Sequence, residues 1–267
     1  MRDTQQEITI RGLTISPPLI LAPMAGLTHS ALRQVIMGFG GVGLLSTEML
    51  SARRLPDENP FVSPCLIRSP SERPLSYQLL IASARDIPAA IDKLHKLRAD
   101  AVDLNMGCPV RSINSFGAGA ALMEDLDSVR SIVSEARKRT SLPLTAKMRL
   151  GIELNDAKLK TFCRILEDEG IDMIYVHARL KKETLARTPK WEYAGRIKEW
   201  LRIPVVVNGG MFSVGDVREC LRKSGADGVM IGRGAAMRPW LFAEIASGVY
   251  ERECGQPEVS LPAVYNQ

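Results

Sequence analysis

The sequence is short of several things that would place it in a special class. No apolar run approaches the ~18 residues that a bilayer span needs, and the N-terminus Met1-Arg2-Asp3-Thr4-Gln5-Gln6-Glu7 is polar where a secretory leader would be apolar. A soluble, cytoplasmic protein is expected. The five cysteines (Cys65, Cys108, Cys163, Cys220, Cys254) are odd in number, far apart and never spaced as CxxC, which argues against a disulfide scaffold and against a zinc site. Reduced thiols and no metal are expected. Charge is not extreme either: a net +5 with a pI near 9.0 permits a polyanionic partner without requiring one. What the 267 residues do contain, 45% hydrophobic and 24% charged, suits one large α/β domain.

Short β-branched or apolar runs alternate with amphipathic stretches in the rhythm of βα units. There are eight: Leu19–Met24, Gly43–Thr47, Leu75–Leu80, Ala101–Asn105, Pro143–Met148, Asp172–His177, Pro204–Asn208 and Asp227–Ile231. Between them, Ile87, Ile91 and Leu94 mark one helix face, with His95 read on its apolar side. Phe162, Ile165 and Leu166 mark another ahead of Gly170, a helix-ending residue. Runs that are continuously apolar belong to strands covered on both faces. Eight of them, each followed by a helix, predict a closed (β/α)8 TIM barrel over residues 18–250; an open doubly wound sheet is the alternative. Residues 1–17 read as a lead-in whose Glu7–Ile15 segment forms a hairpin about Arg11-Gly12, a cover for the barrel bottom. Gly38-Phe39-Gly40-Gly41-Val42-Gly43 matches GxGxxG but follows a helix and precedes a strand, the reverse of a dinucleotide site, and reads as a turn.

In a barrel of this kind active sites lie where strands end and βα loops begin. The strand ends carry Pro23-Met24-Ala25-Gly26, Glu48, Gln78, Asn105 with Cys108, Lys147 with Arg149, His177 with Arg179, Asn208-Gly209-Gly210 and Gly232-Arg233-Gly234. Cys108 lies in Asn105-Met106-Gly107-Cys108-Pro109, where Gly and Pro shape a loop directly after a strand. It reads either as a small buried hydrophobe or as a tunable thiol that gives or takes a proton. The loops after the last two strands fit a phosphate, with Arg233 adding a charge-assisted contact; tight βα turns are the other reading of their glycines. A cofactor ring across the mouth would then meet Lys147 and His177. A lysine rising from a barrel strand suits the pyrimidine side of FMN, whereas His177 alone is also consistent with a hydrogen-bonded core histidine. His29 reads as a helix N-terminal residue or a site wall.

These blocks, Leu21-Ala22-Pro23-Met24-Ala25-Gly26-Leu27-Thr28, Asp103-Leu104-Asn105-Met106-Gly107-Cys108-Pro109, Gly117-Ala118-Gly119-Ala120-Ala121-Leu122-Met123, Lys147-Met148-Arg149-Leu150-Gly151, His177-Ala178-Arg179, Asn208-Gly209-Gly210 and Met230-Ile231-Gly232-Arg233-Gly234-Ala235, together resemble the bacterial tRNA-dihydrouridine synthases. The resemblance implies an FMN enzyme that reduces the C5–C6 double bond of particular tRNA uridines with NADPH as electron source. It implies Cys108 as the general acid that protonates uracil C5 while hydride passes from flavin N5 to C6. By the same motifs Pro23, Met24, Gln78, Lys147, His177, Asn208, Gly209, Gly210, Gly232 and Arg233 hold FMN, and Asn105, Arg149 and Arg179 contact the uracil or its surroundings. The base must leave its stack to reach such a pocket.

An RNA partner has support outside the resemblance. Arg179, Lys181, Lys182, Arg187 and Lys190 crowd the loop after the sixth strand, and Arg111 lies close to the thiol loop; an ordinary solvated loop is the other reading. Gly107, Gly117 and Gly119 give the Cys108 loop the freedom of a lid, expected to order on tRNA. The chain departs from the family pattern at Leu180, where many members have Thr, and in a lengthened Lys181–Lys190 loop. Residues 251–267, with Ser260-Leu261-Pro262 as a helix start, read as only the beginning of the C-terminal helical domain that grips tRNA, so weak tRNA affinity is expected. The chain is taken as a monomer. Rival readings are a dihydroorotate dehydrogenase-like FMN barrel and a non-catalytic tRNA-binding protein.

Overall fold

Each of the eight apolar runs becomes a strand of one parallel sheet in the computed structural model, which describes residues 5–254. The chain enters through a hairpin, β1 (Ile8–Ile10) and β2 (Leu13–Ile15). Arg11 (φ 44) and Gly12 (φ 80) at its tip adopt the left-handed conformation that a two-residue hairpin turn demands. The barrel strands are β3 (Leu19–Leu21), β4 (Leu45–Ser51), β5 (Leu75–Leu80), β6 (Ala101–Met106), β7 (Leu144–Met148), β8 (Met173–His177), β9 (Val205–Asn208) and β10 (Gly228–Ile231). They run in the order β3-β10-β9-β8-β7-β6-β5-β4, and the remaining seam is bridged at Ile20–Leu44, where the Leu21 N–H donates to the Leu44 carbonyl at 2.9 Å. The sheet is thus a barrel rather than an open doubly wound sheet.

The helices are α1 (Ser30–Phe39), α2 (Ile87–Lys96), α3 (Arg111–Asn114), α4 (Leu126–Arg139), α5 (Asp156–Asp168), α6 (Glu192–Trp200), α7 (Val214–Ser224), α8 (Arg233–Met237) and α9 (Leu241–Tyr250). Their starts are written locally: the side chains of Asp125, Asn155 and Ser213 accept N–H bonds from Ser128, Lys158 and Asp216 at 3.0, 3.0 and 3.1 Å. One expectation fails. No α-helix follows β4; residues 52–74 hold a single 3₁₀ turn at Leu55–Asp57. Pro56, Pro60, Pro64, Pro70 and Pro74 each remove a backbone donor there, so a helix cannot be sustained. His95 also departs from expectation, for it is exposed and bonded to Thr140 Oγ1 at 2.8 Å. The buried stripe of α2 is Ile87, Ala90, Ile91 and Leu94, and the next residue lies about 100° round the helix.

Strand alternation sorts side chains into two sets. One set, including Val102, Leu104, Ala146, Ile174 and Val207, packs outward against the helices. The other faces the barrel interior: Ile20, Leu44, Met173, Tyr175, Val206 and Met230 fill its lower part together with Ile8, Ile10 and Ile15 of the hairpin. One inward step further along the strands come Gln78, Asn105, Lys147, His177 and Asn208, with Asn105 in register with Lys147 and His177 with Asn208. The polar positions picked from the sequence therefore form one layer at the C-terminal mouth. Among the described residues no helix is long and apolar enough to cross a membrane.

Candidate active site

Cys108 lies just beyond β6 and is half-buried. Asn105 turns its Oδ1 back to accept the N–H groups of Gly107 and Cys108 at 3.2 and 3.0 Å. The Cys108 carbonyl accepts from Ala120 N–H at 2.9 Å and from Asn114 Nδ2 at 2.8 Å. Gly107 is required by proximity, since a Cβ there would stand 3.1 Å from the Met148 carbonyl carbon and 3.3 Å from the Lys147 oxygen. The thiol loop thus crosses the end of β7, beside Lys147 and Arg149. Its base is fastened by these bonds, while Phe116 at its tip is 77% exposed. The other thiols are different: burial pushes Cys163 and Cys220 far up, and Cys65 and Cys254 up as well, which keeps them protonated.

Beneath the loop is a buried polar group of side chains. Asp103 accepts from Gln78 Nε2 at 2.6 Å and from Thr145 Oγ1 at 2.8 Å, and burial raises its carboxyl to about 6 against those two bonds and the Lys147 charge. Lys147 is drawn down to about 8, chiefly by burial, with Asp103 opposing and Arg149 adding to the shift. His177 is held far below its ordinary value by burial and then by Lys147, Arg149, Arg179 and Arg233, so the imidazole is neutral. Arg179 Nη1 donates to His177 Nε2 at 3.0 Å, which puts the ring proton on Nδ1.

A cavity of ≈ 210 Å³ opens at the mouth, lined by Pro23, Met24, Lys147, His177, Arg179, Leu185, Asn208, Gly209, Gly210, Gly232 and Arg233. Side chains cannot be added to its floor: a Cβ at Gly209 would meet Arg179 Nη1 and His177 Cδ2 at 2.8 Å, and one at Gly232 would meet Met24 Sδ at 3.1 Å. Asn208 Nδ2 donates to the Met230 carbonyl at 2.7 Å, leaving its oxygen free to accept. The Pro23-Met24 turn is fastened by Thr28, whose Oγ1 accepts the Met24 N–H at 3.0 Å, and by Glu48, which accepts the Gly26 N–H. Arg233 lies over the Phe212 ring and donates to the Leu185 carbonyl at 3.3 Å.

The family model for dihydrouridine synthase (Dus) matches residues 20–264. The chain belongs to the dihydrouridine synthase family. Among its relatives are a probable tRNA-dihydrouridine synthase of Rickettsia bellii, 34% identical over 239 residues (89% of this chain, 73% of that one), and one of Rhodobacter capsulatus, 31% identical over 257 residues (96% and 78%). A solved 2-naphthoyl-CoA reductase in complex with 2-naphthoyl-CoA superimposes with a TM-score of 0.68 at 11% identity, over 93% of this chain and 53% of that one. Histamine dehydrogenase from Rhizobium gives 0.68 at 14%, over 94% and 48%. The chain spans about half of those two structures, and the likeness is one of fold.

For a dihydrouridine synthase family member, the site residues divide into two sets. Pro23, Met24, Lys147, His177, Arg179, Asn208, Gly209, Gly210, Gly232 and Arg233 share the cavity, whereas Gln78, Asn105, Cys108 and Arg149 do not line it. Gln78 is 1% exposed, with both ends of its amide bonded inside the fold. Arg149 and Arg179 are buried and hold the loop between β8 and α6: Arg149 donates to Leu180 and Glu183 carbonyls at 2.8 and 3.3 Å, and Arg179 to Arg187 and Leu185 carbonyls at 2.8 and 3.1 Å. Arg149 Nε is buried without a partner. Lys190 pairs with Glu183 and Arg179 is spent on carbonyls, so Lys181, Lys182 and Arg187 are the loop cations with neither kind of side-chain engagement among the described residues. The reading of residues 255–267 lies outside the described residues. Sequence reasoning passed over Asp103 and Thr145; an acid within the apolar run Ala101–Asn105 was the available signal for the first.

Proposed function

We propose that the chain is an FMN-dependent, NADPH-driven tRNA-dihydrouridine synthase of the cytoplasm, adding two hydrogens across the C5–C6 double bond of uridines in tRNA. Membership of the family supports the substrate class. The observation that carries the reading is the seat of Cys108: a half-buried thiol fastened by Asn105 at the barrel mouth, beside Lys147 and Arg149. The cavity's donors suit FMN. Arg233 and the open glycine turns at Gly209-Gly210 and Gly232 match a phosphate, and Lys147 matches the pyrimidine side of a flavin, where negative charge gathers on reduction. Asn208 offers an acceptor and neutral His177 its Nδ1–H. At ≈ 210 Å³ the cavity is below the ~300–1,000 Å³ of whole small-molecule sites, so a cofactor held there extends beyond it toward the open mouth.

When bound, FMN supplies the hydride that reaches uracil C6, its electrons replaced from NADPH. Cys108 supplies the second hydrogen: its S–H bond breaks, the proton goes to C5, and the thiolate left behind is stabilised by the Lys147 and Arg149 charges. The target base must be extruded, at a cost of a few kcal/mol recovered through stacking and backbone contacts. The test is direct. The purified protein is expected to be yellow and to release FMN on denaturation, and Cys108→Ala to retain that FMN while losing dihydrouridine formation by at least about 100-fold, the scale of a lost general acid. A colourless protein, or undiminished turnover in the variant, overturns the reading.

A further inference from the structure

We infer that Asp103 is a positioning residue for Cys108, acting through the side-chain amides of Gln78 and Asn105. Four side chains on β5, β6 and β7 form one directed chain of hydrogen bonds. Asp103 Oδ1 accepts from Thr145 Oγ1 at 2.8 Å and Oδ2 from Gln78 Nε2 at 2.6 Å; Gln78 Oε1 accepts from Asn105 Nδ2 at 2.8 Å; Asn105 Oδ1 accepts from Gly107 and Cys108 N–H at 3.2 and 3.0 Å. An amide presents a donor at one end and an acceptor at the other, so its direction is set by whichever neighbour can play one part only.

Ionised Asp103 is that neighbour at one end of the chain, and the Gly107 and Cys108 N–H groups, which only donate, are its counterpart at the other. A carboxylate accepts and cannot donate, which forces Gln78 to turn its nitrogen toward Asp103 and its oxygen toward Asn105. Asn105 must then give its nitrogen to Gln78, leaving its oxygen for the thiol loop. Reversing either amide would set donor against donor or acceptor against acceptor, and Asp103, Gln78 and Asn105 are 2%, 1% and 7% exposed, so water cannot repair the mismatch. The charged and titratable side chains facing Asp103 are Lys147 of β7 and Tyr175 of β8. Its carboxyl, raised to about 6, is still ionised at neutral pH. Asn105 and Gln78 thereby act as links between the carboxylate and the thiol loop. The use of that thiol in uridine reduction rests on the function proposed above; the chain of bonds does not.

The experiment is native alkylation of Cys108 by iodoacetamide, followed by peptide mass spectrometry across pH at matched flavin content. The alkaline plateau reads access to the thiol, and the midpoint reads its ionisation. Asp103→Leu and Gln78→Met are each expected to raise the plateau rate about tenfold, the order of one lost ordering hydrogen bond, and the double variant no further than either alone. Asp103→Asn is expected to stay within about twofold of wild type, because an Asn oxygen still accepts from Gln78 while its nitrogen donates to Thr145 Oγ1. Circular dichroism melts check that each variant is folded; should Leu fail at 103, the Gln78→Met and Asp103→Asn rates decide. Wild-type plateau rates in folded Asp103→Leu or Gln78→Met, or an Asn variant as fast as Gln78→Met, overturn the inference. A wild-type chain that makes no dihydrouridine would remove the functional reading, and the alkylation rates would still decide the anchor.

Discussion

Lys147 is the residue at which burial and function pull in opposite directions. Its place on the inner face of β7 leaves it half-buried at the cavity, and that lowers the amine to about 8 from 10.5, even with the Asp103 carboxylate opposing. A cation at this point is what the proposed chemistry requires, both for an anionic ring and for the thiolate that Cys108 leaves. The sign follows directly: the amine is charged below about 8 and loses its charge as pH rises through that value. We predict that kcat/KM for uridine reduction, which reports ionisations of the free enzyme, falls above about pH 8. Lys147→Arg, whose guanidinium stays charged, is expected to carry the alkaline limb upward by at least about one pH unit at some loss of maximal rate. A limb that does not move in the arginine variant would separate Lys147 from the alkaline ionisation.

Between elements, the long connection from β4 to β5 shows how a helix-free stretch is held. Arg33 of α1 and Glu72 ahead of β5 are 0% exposed and pair at 2.6 Å. Glu72 also accepts from Ser30 Oγ and the Ser69 N–H, while Arg33 donates to the Thr28 and Ile67 carbonyls. The network clips residues 67–72 to the start of α1. Glu72→Gln would leave the buried guanidinium uncompensated, and a loss of about 3–5 kcal/mol in urea unfolding is expected. Adding Arg33→Met in the same chain should recover part of it. A single-variant loss under about 1 kcal/mol would make the pair incidental.

The same elements mark how far the sequence could be read. The barrel was legible because eight runs are apolar on both faces, and the mouth layer because strands of fixed direction deliver alternate side chains to one end. Residues 52–74 misled because the βα rhythm supplies a helix by default, although five prolines there argue against one. Arg33 was illegible: an arginine on an amphipathic helix reads as solvated, and only the fold brings Glu72, 39 residues away, against it. Gln78 and Arg149 were picked as site residues because their strand positions point to the mouth. That they are bonded within the fold depends on neighbours from β6 and from the β8–α6 loop, which no local pattern encodes.

Taken whole, the molecule keeps its two ends distinct. The hairpin residues Ile8, Ile10 and Ile15 seal the lower end, while loops at the other end expose Phe116 and Leu185 at 77% and 43%. A large ligand therefore reaches the barrel through its mouth. The net charge of +5 is small for a polynucleotide binder, so the position of the cations matters more than their sum. Arg179 and Lys190, two of the basic residues on the β8–α6 loop, are engaged inside it, which leaves Lys181, Lys182 and Arg187 to meet phosphates. Each phosphate contact releases counterions, so log affinity for tRNA should fall linearly with log salt concentration, by about 0.7–0.9 per contact. Changing Lys181, Lys182 and Arg187 together to Gln should then reduce that slope by about 2–3 and weaken binding most at low salt. Because none of the three lines the cavity, flavin content should be unaltered, which separates lost RNA contact from a damaged site. Filter binding of unmodified tRNA over a salt series reads the slope, and an unchanged slope in the triple variant would place the phosphate track elsewhere on the mouth.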